Sequence, residues 1–331
     1  MQRKEIFIGV DVSKQTLDVA IYGTRNHIRI ANTSEGFKHL QAWLKSLKIT
    51  LSECWFVLEY TGGYEYRLVQ FCQSKRLTFT RVPGLEIKKS LGMQRGKNDK
   101  IDAQRIADYG YQKRDKLRVQ TTSTALIESL KELLTQRRGF VKQRKANEHR
   151  MNELIAMKEP EKNKPVIKNY GDAIKSEVKI IKKIEADIVK LIEKDETVKK
   201  NFKLLTTIPG IGKVNAWMTI AHTDNFERFS DGRKYGANAG VVPYEHISGK
   251  RIRGKSRVSH MANKEIKAEL DMAARAAVAH DPEMQAYYQR RAAMGKHHNS
   301  IKNEIKFKLI LRMFAVVNKQ KVYVKNQKSA A

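Results

Sequence analysis

Acidic residues are scarce in this chain. Its 331 residues include 35 Asp and Glu against 65 Lys and Arg, a formal net charge of +30. The excess is not confined to a tail: residues 1–122 carry +10, 123–200 carry +6 and 201–331 carry +14. A basic excess spread this way points to a polyanion as partner, most simply nucleic acid, because Lys and Arg gain affinity by releasing condensed counterions. Cysteine is nearly absent. Cys54 and Cys72 lie in apolar runs without metal-ligand spacing, which excludes a disulfide scaffold and fits reduced core thiols in a cytoplasmic protein. Long hydrophobic runs are missing. The N-terminal "MQRKEIFIGVDVSK" holds one strand's length of apolar residues before Asp11 interrupts it, so neither a targeting segment nor a membrane partner is expected. The nine histidines form no ligand set; His297 and His298 are adjacent and would point apart on a helix.

What is present begins with alternating strands and helices. "EIFIGVDV", "TLDVAIYG" and "NHIRIANT" read as three successive strands. "SEGFKHLQAWLKSL" has helical spacing, with Ser34 or Thr33 as its cap. "ECWFVLEY" reads as a buried strand, "YEYRLVQFCQSKR" as a helix and "LTFTRV" as another strand, followed by two helices, the second from about Lys100. The order β-β-β-α-β-α-β-α is that of ribonuclease H, an α/β mixed sheet.

Four acids take meaningful places in that order. Asp11 ends the first strand and Glu59 the fourth; Asp99 and Asp102 open the last helix, three residues apart and so on one face. First and fourth strands are neighbours in such a sheet, and the closing helix can lean its first turn on their ends. Four gathered carboxylates repel one another. Mg²⁺, or Mn²⁺ in its place, relieves this with oxygen ligands, and two such ions about 3.5–4 Å apart can clamp a phosphodiester. Taken singly, each acid has a structural explanation: Asp11 as a turn former, Asp99 as a helix cap, Asp102 as a partner of the helix dipole. Glu59 is harder to explain so, because it ends the apolar run "CWFVLE". "IGVDVSKQTLDVAIYG" also resembles the phosphate loop of sugar kinases, but Val12, Ser13 and Lys14 bring no glycine, and a second Gly-rich loop is absent.

The middle of the chain reads as two long helices, over 123–157 and 166–197, separated by "KEPEKNKP". Ile174, Val178, Ile181, Ile184, Ile188 and Leu191 form a coiled-coil-like stripe, suited equally to packing within the chain and to dimerisation. In the last third, "LLTTIPGIGKVNAWMTIA" reads as a helix-hairpin-helix in which Gly210 and Gly212 free backbone N–H groups for a phosphate; a plain tight turn is equally consistent. "GVVPYEHISGKRIRGKSR" reads as a basic loop. From Ser248 to Arg257 it holds Lys250, Arg251, Arg253, Lys255 and Arg257 and no acid. A serine beside Gly249 among such cations could attack a phosphodiester; Ser256, Ser259 and Tyr244 are competing nucleophiles on spacing alone.

The ordered set "IGVDVSKQTLDVAI", "LEYTGGY", "GKNDKIDAQRIA", "LLTTIPGIG", "YGANAGVVP" and "SGKRIRGKSRVS" resembles the insertion sequence one-hundred-ten family of transposases over nearly the whole chain. These are bridge-RNA-guided recombinases with a DEDD site. The resemblance places the family's acids on Asp11, Glu59, Asp99 and Asp102, with Thr61-Gly62 after the glutamate. It places the nucleophilic serine on Ser248, with Gly249, Arg253 and Gly254 matching. It implies a RuvC-like metal-binding domain over 1–122, a helical coiled-coil region over 123–200, and a C-terminal transposase domain over 201–331 that is helical and carries the serine. It also implies Mg²⁺, target and donor DNA, a noncoding guide RNA, and a homo-oligomer, dimer or tetramer, in which the acids of one subunit meet the serine of another. A water-using RuvC-like junction endonuclease and a nonenzymatic nucleic-acid-binding protein are the alternatives.

Overall fold

The computed structural model describes residues 6–60, 62–90, 98–119, 124–156, 160–248, 252–258 and 262–324. They form two compact units, 1–122 and 123–331.

The first unit is a five-stranded sheet in the order β3-β2-β1-β4-β5. Its strands are β1 (Ile6–Val12), β2 (Thr16–Ile21), β3 (His27–Ala31), β4 (Cys54–Tyr60) and β5 (Thr78–Pro83). The first three are antiparallel; β4 joins β1 in parallel and β5 joins β4 in parallel. The period-2 alternation of each strand sorts its residues to two faces. Ile8, Val10, Val12, Leu17, Val19 and Ile21 go to one face, under α1 (Ser34–Ser46) and α2 (Tyr66–Ser74). Thr33 caps α1 by accepting from the Gly36 N–H. Both cysteines are buried in this layer, and burial pushes their thiols up to about 12, so they are inert packing groups.

The other face carries Phe7, Trp55, Val57 and Val82, covered by α3 (Gly84–Ser90) and α4 (Asp99–Gln112) through Ile87, Ile106 and Tyr109. Backbone lies on backbone here. A Cβ on Gly9 would fall 2.2 Å from both the Ala103 carbonyl oxygen and the Ala107 nitrogen, and one on Gly110 would fall 2.7 Å from Val57 Cγ2. Phe7 is also against Gly110, while Gly9 is against the preceding turns of α4. The helix therefore runs opposite to β1, and its first turn falls toward the Asp11 end of that strand.

The second unit is almost entirely helical. The long helices α5 (Ala125–Ala156) and α6 (Lys164–Ile192) pack on each other within the chain, tied by Arg137 to Glu185 at 2.8 Å and Asn147 to Glu177 at 2.8 Å. Ile181, Ile184, Ile188 and Ile192 are buried inside this chain, while Ile174, Val178 and Leu191 of the same stripe are half-buried. Ile184, Ile188 and Ile192 join one cluster with α7 (Glu196–Thr206), α8 (Lys213–His222), α9 (Gly232–Asn238), α10 (Lys264–His280), α11 (Pro282–Ala293) and α12 (His298–Lys319). Among the described residues no helix is long and apolar enough to cross a membrane.

One segment departs from expectation. Residues 240–257, read as a loop in a helical domain, contain a hairpin of β6 (Tyr244–Ser248) and β7 (Ile252–Arg257). The density of Lys and Arg hides the strand pattern, since period-2 alternation is hard to see when both faces are polar.

Candidate active site

Each acid of the first unit is placed by the packing just described. Asp11 falls on the α4 face of β1, cross-strand from Asp18 of β2. Glu59 lies one residue beyond the last β1–β4 pair, Val10 with Leu58. Its carboxylate rests against Gly84, where an added Cβ would stand 2.0 Å from Oε1. Asp99 and Asp102 occupy the first turn of α4, but neither caps it. The cap is Asn98, whose side-chain oxygen accepts from the Ile101 N–H at 2.8 Å. The capping explanation of Asp99 is thereby removed.

The Asp11 carboxyl is pushed up to about 6, first by burial and then by the charges of Glu59, Asp102, Asp99 and Asp18. The charges of the other three expected acids thus reach Asp11 through space. Two of them are also engaged with arginines. Arg29 of β3 donates from Nε to Asp18 at 2.9 Å and from Nη2 to Asp99, while Arg105 Nη1 donates to Asp102 at 2.9 Å. In this arrangement no group of three or more His, Cys, Asp or Glu among the described residues is close enough to hold a metal ion. The gathering is electrostatic here. The donors nevertheless suit a hard divalent cation: all are carboxylate oxygens, and one is driven toward protonation by burial and then by its neighbours' charge.

Asp18, His27, Arg29, Arg105 and Gly84 at this site are not singled out by the sequence reading. Asp18 is 5% exposed and held by His27 at 2.8 Å as well as Arg29. The register Asp11–Asp18–Arg29 across β1, β2 and β3 could have revealed the row, had the turns between those strands been counted through. Gly84 carries no chemistry and gives no signal in sequence. Thr61 lies outside the described residues; Gly62 and Gly63 follow Glu59 with φ of 79° and 137°, conformations open to glycine.

Residues 8–158 match a family model described as a transposase, of the DEDD type of IS110, and residues 202–289 match one described as the transposase IS116/IS110/IS902 family. The chain belongs to the IS110 transposase family. It is an enzyme acting on DNA in recombination. Two relatives are pilin gene-inverting proteins, of Moraxella bovis and Moraxella lacunata. Each is 27% identical over 327 residues, covering 96% of this chain and 98% of the relative.

In this transposase the features expected to meet nucleic acid lie in the second unit. Gly210, with φ of 91°, is tightly packed on one side: a Cβ there would come 2.7 Å from the Ala273 carbonyl oxygen of α10. Of the two glycines expected to approach a phosphate, Gly212 has open space, and it caps α8. Ser248 is the last residue of β6, its backbone paired with Ile252; its side chain is outside the described residues. Gly249, Lys250, Arg251 and Ser259 also lie outside them. Arg253, Lys255 and Arg257 take alternate positions along β7.

Proposed function

We propose that this transposase cuts and rejoins DNA strands with a serine nucleophile, Ser248, and a divalent cation, Mg²⁺ or Mn²⁺, held by Asp11, Glu59, Asp99 and Asp102. The observation that carries this reading is geometric: Asp11 and Glu59 lie at the same end of the neighbouring strands β1 and β4, and α4, which opens with Asp99 and Asp102, is seated on β1 with its first turn toward that end. The Asp11 carboxyl, raised first by burial and then by like charges, would be relieved by a cation beside it. When bound, the cation supplies charge stabilisation for a phosphodiester whose phosphorus is under attack.

The chain's own residues divide the remaining work. Ser248 Oγ attacks the phosphorus, the bond to the departing sugar oxygen breaks, and the serine proton is given up as that oxygen takes one. The phosphoserine ester conserves one phosphodiester's worth of bond energy. A hydroxyl from another strand then attacks the phosphorus and returns the serine, so no nucleotide cofactor is needed. Lys250, Arg251, Arg253, Lys255 and Arg257 hold the backbone and stabilise the crowded phosphorus. The two relatives carry names that describe gene inversion; inversion requires rejoining, which favours strand transfer over hydrolysis. We extend the reading to a noncoding guide RNA that pairs with target and donor DNA, and to a dimer or tetramer in which acids and serine come from different subunits.

The test is denaturing electrophoresis of labelled DNA, with mass spectrometry to place the linkage. Wild type is expected to give a covalent adduct at Ser248. Ser248→Ala is expected to bind DNA without an adduct, and Ser256→Ala to resemble wild type. Free nicked DNA with no adduct from wild type would establish the water-using endonuclease instead.

A further inference from the structure

The second unit contains a cavity of about 1010 Å³ at the root of the β6–β7 hairpin. Val242 and Pro243, which lead into β6, and Val258, which follows β7, form one wall; α9, α10 and the start of α12 form the rest. Its size is at the upper end for sites that enclose a small ligand.

The charges lining it are unevenly matched. Asp271 is already neutralised by Lys306 at 2.8 Å and Arg275 at 3.0 Å. Glu304 is held by Arg291 at 3.1 Å, by the Tyr287 hydroxyl at 2.8 Å and by Lys296. Both acids are therefore committed to structure. Arg233 of α9 and Lys267 of α10 also line the cavity, and among the described residues neither makes an ion pair with a carboxylate. Burial, then the charge of Lys306, holds the Lys267 amine below its ordinary range. An anion at this place would repay that desolvation for Lys267 and supply the missing partner for Arg233. The ring of Phe307 stands in the same lining and offers an aromatic surface.

We propose that this cavity seats one unpaired nucleotide of a nucleic-acid strand, its phosphate between Arg233 and Lys267 and its base against Phe307. A recess with two spare cations and one aromatic matches a nucleotide's two ends. A paired base within a duplex presents no free face to such a recess. The position also places the seat at the base of the hairpin whose basic residues the proposed function assigns to the backbone, and the inference rests on that reading for its choice of nucleic acid. DNA and RNA share the required chemistry.

The experiment uses the full-length protein and a single-stranded oligonucleotide carrying 5-iodouracil, as DNA in one arm and as RNA in the other. After irradiation, adducts are mapped by mass spectrometry. An adduct on the α12 peptide that contains Phe307 is expected in at least one arm, and that arm names the strand. Arg233→Glu and Lys267→Glu should abolish it, whereas Lys319→Glu, the same charge change at the far end of α12, should retain it. Arg233 is exposed, so its substitution does not threaten the fold. In parallel, Arg233→Gln should make the fall of log affinity with log salt shallower by about 0.7, the value for one single-strand phosphate contact. Adducts confined to other peptides, no adduct in either arm, or an unchanged salt slope would each overturn the seat. A protein that gives the adduct but forms no phosphoserine leaves the seat standing and removes the serine mechanism. A protein that recombines without the adduct does the reverse.

Discussion

Carboxylates serve opposite purposes in the two units. In the sheet unit, Asp11 is pushed up to about 6 because burial and four other acids surround it. In the helical unit, Glu304 is pulled down to about 2, since hydrogen bonds from Arg291, Lys296 and Tyr287 outweigh its burial. The same functional group is destabilised as an anion in one place and stabilised in the other. In this strongly basic chain Asp18, Asp99 and Asp102 are paired with arginines, whereas Asp11 is left facing acids. The acids of α10 and α12, by contrast, hold helices together.

Substitutions on either side of this contrast should have different signatures. The largest effect is expected from Asp102→Asn or Glu59→Gln. Each should lower recombination by roughly 10²–10³-fold or more while the thermal transition stays in place, or rises as like-charge repulsion is relieved. A recombination assay beside differential scanning calorimetry reads both; full recombination by Asp102→Asn would remove the acids from the chemistry. Next comes Gly9→Ala. A methyl group 2.2 Å from α4 backbone cannot be absorbed by a rotamer change. A loss of about 3 kcal/mol or more is expected, confined to the sheet unit, from the cost of overpacking; urea unfolding followed by residue-resolved hydrogen exchange would locate it.

A smaller effect belongs to Glu304. Its folded-state pKa lies below the ordinary 4.5, so its contribution is complete above that value and is lost as pH falls toward 2. Glu304→Gln should destabilise the helical unit by about 2 kcal/mol at neutral pH and flatten its stability between pH 4.5 and 2. An unchanged acid limb would place the dependence on other groups. Gly84→Ala should cost least. Its methyl group displaces the Glu59 carboxylate, a flexible end that can move, so stability should barely change while recombination falls by about tenfold, as for a misplaced catalytic group. Equal losses in activity and stability would make Gly84 merely a packing residue.

Much of the sheet unit was legible because its signals are local and redundant. Apolar alternation marks β1 and β2, the run "CWFVLE" marks β4, and the strands recur in the expected order with β1 beside β4. What sequence could not supply was partnership across strands. Arg29 and Asp18 are eleven residues apart and meet only because two turns set the register. The Asp99 pairing with Arg29 spans seventy positions. The alternative role of Asp99 as the α4 cap falls to Asn98, one residue earlier, because Asn and Asp are near-equivalent caps and sequence alone does not choose between them. The β6–β7 hairpin reads as a loop in sequence because its composition is that of a solvated basic segment. In the helical unit the stripe that includes Ile184 and Ile188 marks which face of α6 is apolar, but not what covers it. Other helices of this chain pack on these two residues.

The close seating of α4 on β1 has a consequence for how tolerance to substitution should be interpreted. Gly9, Ala103 and Ala107 carry no charge and meet no substrate. Yet they set the roll of a helix that turns by about 100° per residue, and so they aim Asp99 and Asp102. A complete survey of single substitutions would find these three small residues nearly as unforgiving as the acids themselves. Sensitivity alone would then enlarge the site to include its mounting. The two groups separate only when abundance of folded protein is scored beside recombination: the acids would lose the second and keep the first, and the mounting would lose both together.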